Sequence, residues 1–151
     1  AHGLHQQLPP SHAPVIPRFL KQALSGGSLV MSGNGKQSRD FVYIEDVVRA
    51  LERAATMQNI DRASINIGSG VDTTMNQLVD EIEALIGKRV HRLYNDEETS
   101  GVTRLVADIS LASKLLDWSP NVSLSQGLAQ ILKTDPRFQP HPAQTHVATA
   151  H

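Results

Sequence analysis

The 151 residues contain no cysteine, which removes disulfide frameworks, thiolate zinc sites and cysteine nucleophiles together. Neither sign of charge is in excess. With a formal net charge of -1 the chain sets up no long-range field to attract nucleic acid or an anionic membrane, so neither is expected as a partner. No apolar run approaches the roughly eighteen residues of a membrane span, and no basic segment leads into an apolar one at the N-terminus. The expectation is a protein without transmembrane or secretory segments, in the cytoplasm. No repeat of fixed period is present, which excludes solenoids and propellers. Seven histidines are present, but His2, His5, His12, His141, His146 and His151 lie in irregular terminal stretches. No His-Glu-x-x-His or His/Asp cluster falls on an expected element, so no metal site is expected. A nucleophile elbow is also lacking, because Gly68-Ser69-Gly70 falls one residue short on each side of Gly-x-Ser-x-Gly.

What is present is ordinary for one globular domain: 40% hydrophobic and 19% charged residues, on a chain long enough for a real core. Residues 1–13, with Pro9-Pro10 and three histidines, read as an irregular opening segment. Val15, Ile16, Phe19, Leu20, Ala23 and Leu24 recur at helical spacing, which predicts a helix over about 15–25 stopped by Gly26-Gly27. Ser28 to Ser32 and Asp40 to Ile44 read as two strands around the turn Gly33-Asn34-Gly35. From Glu45, the positions Val47, Val48, Leu51, Ala54 and Ala55 make an amphipathic stripe, with Glu45 and Asp46 suited to the helix N-terminus. Ser64 to Ile67 reads as a strand. Thr74 with Gln77 forms a capping box for a helix that Gly87 stops, and Val90 to Tyr94 reads as one more strand. Asp96 to Thr103 reads as a solvated loop. Asp108 caps a helix through Leu116, and Ser123 with Gln126 forms a second capping box after Pro120. The tail 135–151, rich in proline and histidine, is expected to be disordered because it buries too little to offset its ordering entropy.

The stretch from Gly33 to Val48 is the richest in chemistry. Arg39, beside the glycine turn, offers forked, charge-assisted hydrogen bonds to a diphosphate; the alternative is a surface ion pair with Asp40 or Glu45. Asp40 reads as structural. Gly33-Asn34-Gly35-Lys36 fails as a Walker motif, because Val30 stands where glycine is required and Gln37 follows the lysine, so an Asn-Gly turn is the better reading.

These pieces come in an order that resembles the C-terminal, substrate-binding portion of extended short-chain dehydrogenases/reductases, the NAD-dependent nucleotide-sugar epimerases and dehydratases. The resemblance runs from about Gly3 to Thr134. It is carried by Val15-Ile16-Pro17-Arg18-Phe19, Arg39-Asp40-Phe41, Ile65-Asn66-Ile67-Gly68-Ser69-Gly70, Val106-Ala107-Asp108-Ile109-Ser110 and Trp118-Ser119-Pro120. It implies an α/β fold in which short strands alternate with amphipathic helices and most of the Rossmann sheet is lacking. The nucleotide-sugar-binding portion would span 14–134. The resemblance further implies that Arg39 meets the pyrophosphate and that Val15 and Ile16 border the base. At Ser32 the family often has an aromatic residue facing the base. Its Arg-Pro-Gly-Asp loop aligns with Glu98-Thr99-Ser100-Gly101, an anion in place of a cation, which leaves Arg104 as the nearby substitute.

NAD(P) is implied for the full-length family, yet no Gly-x-x-Gly-x-x-Gly follows a strand here and neither Tyr43 nor Tyr94 has a lysine four residues later. No cofactor is therefore expected on this chain alone. Two readings follow from the resemblance. One is a portion that binds a nucleotide-diphosphate sugar and is inactive without a complementing Rossmann-domain chain. The other is a non-catalytic oligomerisation or partner-binding module. Because the helix of 46–55 and the strand of 64–67 pack with the Rossmann lobe in the family, a homodimer is expected over a monomer.

Overall fold

The computed structural model of the chain describes residues 1–4, 14–58, 60, 62–95 and 102–139. Helix α1 (Val15–Leu24) opens with Pro17 in its first turn, where a missing N–H costs nothing, and buries Ile16, Phe19, Leu20 and Ala23. Helix α3 (Met75–Ile86) begins at the expected capping box, with Gln77 N donating to Thr74 Oγ1 at 3.1 Å and Thr74 N donating to Gln77 Oε1 at 2.8 Å. It ends at Gly87. Helix α5 (Leu124–Thr134) begins at the second box, Ser123 with Gln126. These three helices enclose Leu29 and Met31 of strand β1 (Leu29–Ser32), together with Leu78, Val79, Ile82, Leu128 and Ile131. Each such large apolar side chain contributes about 2 kcal/mol on burial.

A second, smaller cluster joins helix α2 (Ile44–Thr56) to helix α4 (Ser110–Leu116) through Ala50, Ala112, Leu116 and Trp118. Strand β1 pairs in parallel with β4 (Arg92–Asn95), Leu29 opposite Arg92 through Ser32 opposite Asn95. Strand β2 (Ser38–Arg39) lies between β3 (Thr73–Thr74), antiparallel to it, and β5 (Arg104–Leu105), parallel to it. Short strands alternating with amphipathic helices are thus the observed α/β architecture.

The expected hairpin does not form. The glycine turn carries the chain from one sheet to the other: Gly33 N donates to Asn95, while the carbonyls of Gly35 and Gln37 accept the first amides of α3, Asn76 and Met75. Gly35 has φ +69, and a Cβ there would stand 2.6 Å from Asn76 Oδ1, so the turn needs a glycine to lie this close to α3. The expected strand at 40–44 shrinks to the ladder at Ser38–Arg39 plus an isolated parallel bridge between Tyr43 and His2, and α2 already begins at Ile44. The strand expected at 90–94 forms two residues later. Residues 64–67 keep a strand-like alternation of burial but join no ladder among the described residues. Asp108 does not cap α4 as the N-cap residue; the helix starts at Ser110, whose N–H donates to Asp108 Oδ1.

Both terminal expectations also change. His2 is buried, with its N–H donating to Val42 O and its carbonyl accepting from Ile44 N, each at 2.8 Å. Asp135 and Phe138 are buried, and Pro136–Phe138 forms a 3₁₀ turn, so the boundary expected at 134 falls inside packed structure. Residues 5–13 and 140–151, and most of the expected 96–103 loop, lie outside the described residues.

Candidate functional site

Asp40 organises the region. Its Oδ1 accepts from Ser69 N at 2.6 Å and Ser69 Oγ at 2.7 Å, and its Oδ2 accepts from Gly70 N at 2.9 Å and Ala107 N at 3.2 Å. One carboxylate therefore pins the ends of three separate segments, which bears out its structural role and explains why its neighbours in space come from 29 and 67 residues away. With both oxygens of Asp40 engaged, Arg39 has no carboxylate partner among the described residues; its guanidinium donates only to Ser38 O, at 2.7 Å. The surface ion pair weighed for Arg39 is not formed. Half-buried Arg39 lines a cleft of about 380 Å³ with Asp40, Val42, Asn66, Gly68 and Asp108. Asp108 is the second carboxylate of the cleft. The hydroxyl and then the amide of Ser110 hold its carboxyl below the usual range, so it stays anionic.

The other expected binding residues are not gathered around this cleft. Arg104 pairs across the ladder with Ser38, and Leu105 pairs with Arg39, so Arg104 and Arg39 project from opposite faces of the sheet. Arg104 Nε is 2.6 Å from Asp72 Oδ2. Asp72 also accepts from the Ser38 hydroxyl, and these two donors, Ser38 first, hold its carboxyl below the usual range. Val15 and Ile16 begin α1, where Ile16 is 2% exposed within the larger core and Val15 packs against it. Ser32 ends β1 opposite Asn95. Glu98 and Gly101 lie outside the described residues.

The described residues do not fit a dinucleotide. A phosphate cradle needs backbone amides free to donate at a glycine-rich turn or helix N-terminus. Here Gly33 donates to Asn95, Lys36 to Asn34 Oδ1, Ser69 and Gly70 to Asp40, and the first three amides of α3 to Gln37, Gly35 and Thr74. The glycine turns are thus structural joints.

Two further buried groups escaped the sequence reading. Asp46, expected only to favour a helix N-terminus, is 1% exposed and accepts from Asn121 N, Val122 N and Arg49. Burial opposes its charge, but the Val122 amide, Arg49 and the Asn121 amide outweigh it and hold its carboxyl below the ordinary range. Trp118 Nε1 also donates to Asp46 O, at 3.0 Å. His2 lies edge-on to Tyr43 with ring centroids 5.3 Å apart, and burial and then the nearby N-terminal ammonium push its pKa down to about 4. Both rings press on Gly127, where a Cβ would come within 2.5 Å of His2 Nε2. A short local motif carries no signal of such distant partners.

Comparison with known proteins agrees with this geometry. The NAD dependent epimerase/dehydratase family model matches residues 2–68. A UDP-glucuronate 4-epimerase of Thermodesulfobacterium geofontis is 37% identical over 112 residues, 74% of this chain and 34% of that protein. A putative UDP-glucose 4-epimerase of Methanocaldococcus jannaschii is 35% identical over 127 residues, 84% of this chain and 40% of that protein. Among solved structures, UDP-glucose 4-epimerase of Thermotoga maritima with UDP-glucose superposes with a TM-score of 0.79 at 32% identity, covering 87% of this chain and 42% of that one. UDP-glucuronic acid 4-epimerase of Bacillus cereus, in complex with UDP-glucuronic acid and NAD, gives 0.75 at 34% identity over 84% and 40%. The chain therefore spans well under half the length of these relatives. No described helix is long and apolar enough to cross a membrane. By its order of motifs, its fold and these relatives, the chain belongs to the NAD-dependent epimerase/dehydratase family of extended short-chain dehydrogenases/reductases.

Proposed function

We propose that the chain is the nucleotide-sugar-binding portion of an NAD-dependent epimerase/dehydratase, taking a UDP-sugar and turning over nothing without a cofactor-binding half supplied by another chain. The observation that carries this reading is Arg39: a half-buried guanidinium without a counter-carboxylate, facing a cleft whose other charged group beside it, Asp40, has both oxygens occupied. A diphosphate supplies the missing anion. Asp108 on the same cleft limits the net attraction and favours a ligand that reaches Arg39 while leaving Asp108 to sugar hydroxyls. Arg104, tied to Asp72 on the other face, contributes little until that pair opens.

The test is calorimetric titration of UDP-glucose and UDP-glucuronic acid into the chain and into Arg39→Ala, at low and moderate salt. Loss of one charge-assisted contact weakens binding by about tenfold or more, with a smaller loss as salt rises. Equal affinities for the two proteins overturn the assignment.

A second reading, the non-catalytic oligomerisation or partner-binding module, draws on one observation. Ile44, Val48 and Leu51 on the outer face of α2 are 39%, 47% and 65% exposed. Such a stripe is seldom left open by a monomer. Light scattering at tens of micromolar decides it: a dimer supports the module, and a monomer that still binds UDP-sugar leaves the first reading alone.

A further inference from the structure

Beside the Arg39 cleft runs a backbone edge with nothing on it. Ile65 and Ile67 turn inward and pack on the cluster of Ala50 and Trp118, while Ser64 and Asn66 face outward, the alternation of a strand. Yet no backbone N–H or carbonyl of Ser64 to Ile67 has a backbone partner among the described residues. The edge is held rigidly at its C-terminal end, where Asp40 binds Ser69 and Gly70 and, across the cleft, Ala107. The opposite wall is backbone too: Ala1 and Val42 line the same cleft, and His2 already runs parallel to Tyr43 there. Backbone polar groups are obligate hydrogen bonders, and an open strand edge is a template for another strand.

We propose that Ser64–Ile67 is a strand-addition site and that its occupant is an extended segment of the cofactor-binding half, docking from a second chain. This rests on the reading of the chain as a substrate-binding portion. The relatives supply the argument for that occupant, since this chain accounts for only 34% to 42% of their length and all of them carry further chain. A second copy of this chain is a poorer fit. A two-fold axis would set its own Ser64–Ile67 antiparallel against the first, whereas the segment already on the opposite wall of the cleft runs parallel to its neighbour. In the proposed complex the added strand closes the side of the cleft next to Arg39. Docking of the second chain and completion of the sugar-nucleotide site are then one event.

The test is amide hydrogen exchange across residues 64–67, read by mass spectrometry. The chain is measured alone and mixed with the part of the Thermotoga maritima UDP-glucose 4-epimerase that it does not match. Exchange there slows by about tenfold or more in the mixture. Asn66→Pro removes one edge donor from an outward-facing position and abolishes both the slowing and the complex, while Asn66→Ser keeps both; thermal melts of the two variants establish that each is folded. If Asn66→Pro fails to fold, the wild-type exchange pattern with Asn66→Ser decides alone. Three results overturn the proposal: a complex by light scattering with unchanged exchange at 64–67, no complex at all, or slowing in the chain alone that grows with its concentration, which assigns the edge to a second copy. None of these touches the Arg39 titration, so the strand site and the UDP-sugar reading fail separately.

Discussion

Helix α3 buries Met75, Leu78, Val79, Ile82 and Glu83, whereas α2, one residue longer, buries only Asp46 and Ala50. Both carry an apolar stripe at helical spacing. The stripe of α3 meets α1 and α5 and becomes the centre of the larger core. Part of the α2 stripe, Val48 and Leu51, faces outward, and the helix is held from its polar side, by Asp46 on the amides of Asn121 and Val122 and by Arg49 on Ser119 O. An amphipathic pattern therefore establishes that a helix has a face to cover, not what covers it. On α2 the family arrangement, in which this helix packs with the Rossmann lobe, accounts for a stripe that the chain by itself leaves open.

The largest expected effect separates the two stripes directly. Leu78→Ala costs about 3 kcal/mol, the usual price of an emptied core leucine, while Leu51→Ala changes stability by no more than about 0.5 kcal/mol. Urea denaturation of both variants reads the difference. A loss at Leu51 comparable to that at Leu78 breaks the comparison, because it means that the α2 stripe is covered in solution.

The next effect tests the polar attachment of α2. Asp46→Ala strands two buried amides and Arg49, and costs about 2 kcal/mol or more. Because the folded-state pKa of Asp46 is depressed below its ordinary 3.8, its stabilisation is fully present above that value and is lost as pH falls through the lower, folded value. Wild type therefore loses stability below about pH 4 more steeply than Asp46→Ala does. Parallel acid-unfolding curves for the two proteins remove Asp46 from that role.

Much of this was legible in the sequence, for physical reasons that differ by element. The helices α1, α3 and α5 were, because their signals are local: an apolar period, and in two of them a capping box whose partners lie three residues apart. Arg39 and the structural role of Asp40 were also legible, through the order of motifs in the family. The strand pairing was not. Asn34-Gly35 signals a hairpin to its immediate neighbours, but the bonds that decide its course go to Asn95 and to α3, some 40 to 60 residues on. Asp46 misled for the same reason, since its partners at 121 and 122 are 75 and 76 residues away. Arg104 was expected beside Arg39 because only proximity in sequence and charge were considered; a one-residue difference in register puts it on the other face, in the hands of Asp72.

The smallest effect sharpens the comparison at the helix starts. At the start of α3, Thr74 Oγ1 accepts from Gln77 N and Gln77 Oε1 accepts from Thr74 N, so each side chain closes a backbone donor that the helix itself leaves open. At the start of α2 the N-cap is Tyr43, which offers no side-chain cap, and the bridge to His2 takes up the Ile44 amide instead. Thr74→Ala therefore costs about 1 kcal/mol, a typical value for an N-cap hydroxyl. Gln77→Ala costs less, and the double variant costs less than the sum of the two, because the bonds are reciprocal and the first substitution already loosens the second. Urea midpoints of the three variants measure that coupling. Strict additivity means that the two bonds form independently, and then α3, like α2, owes its position to tertiary contacts and not to its cap.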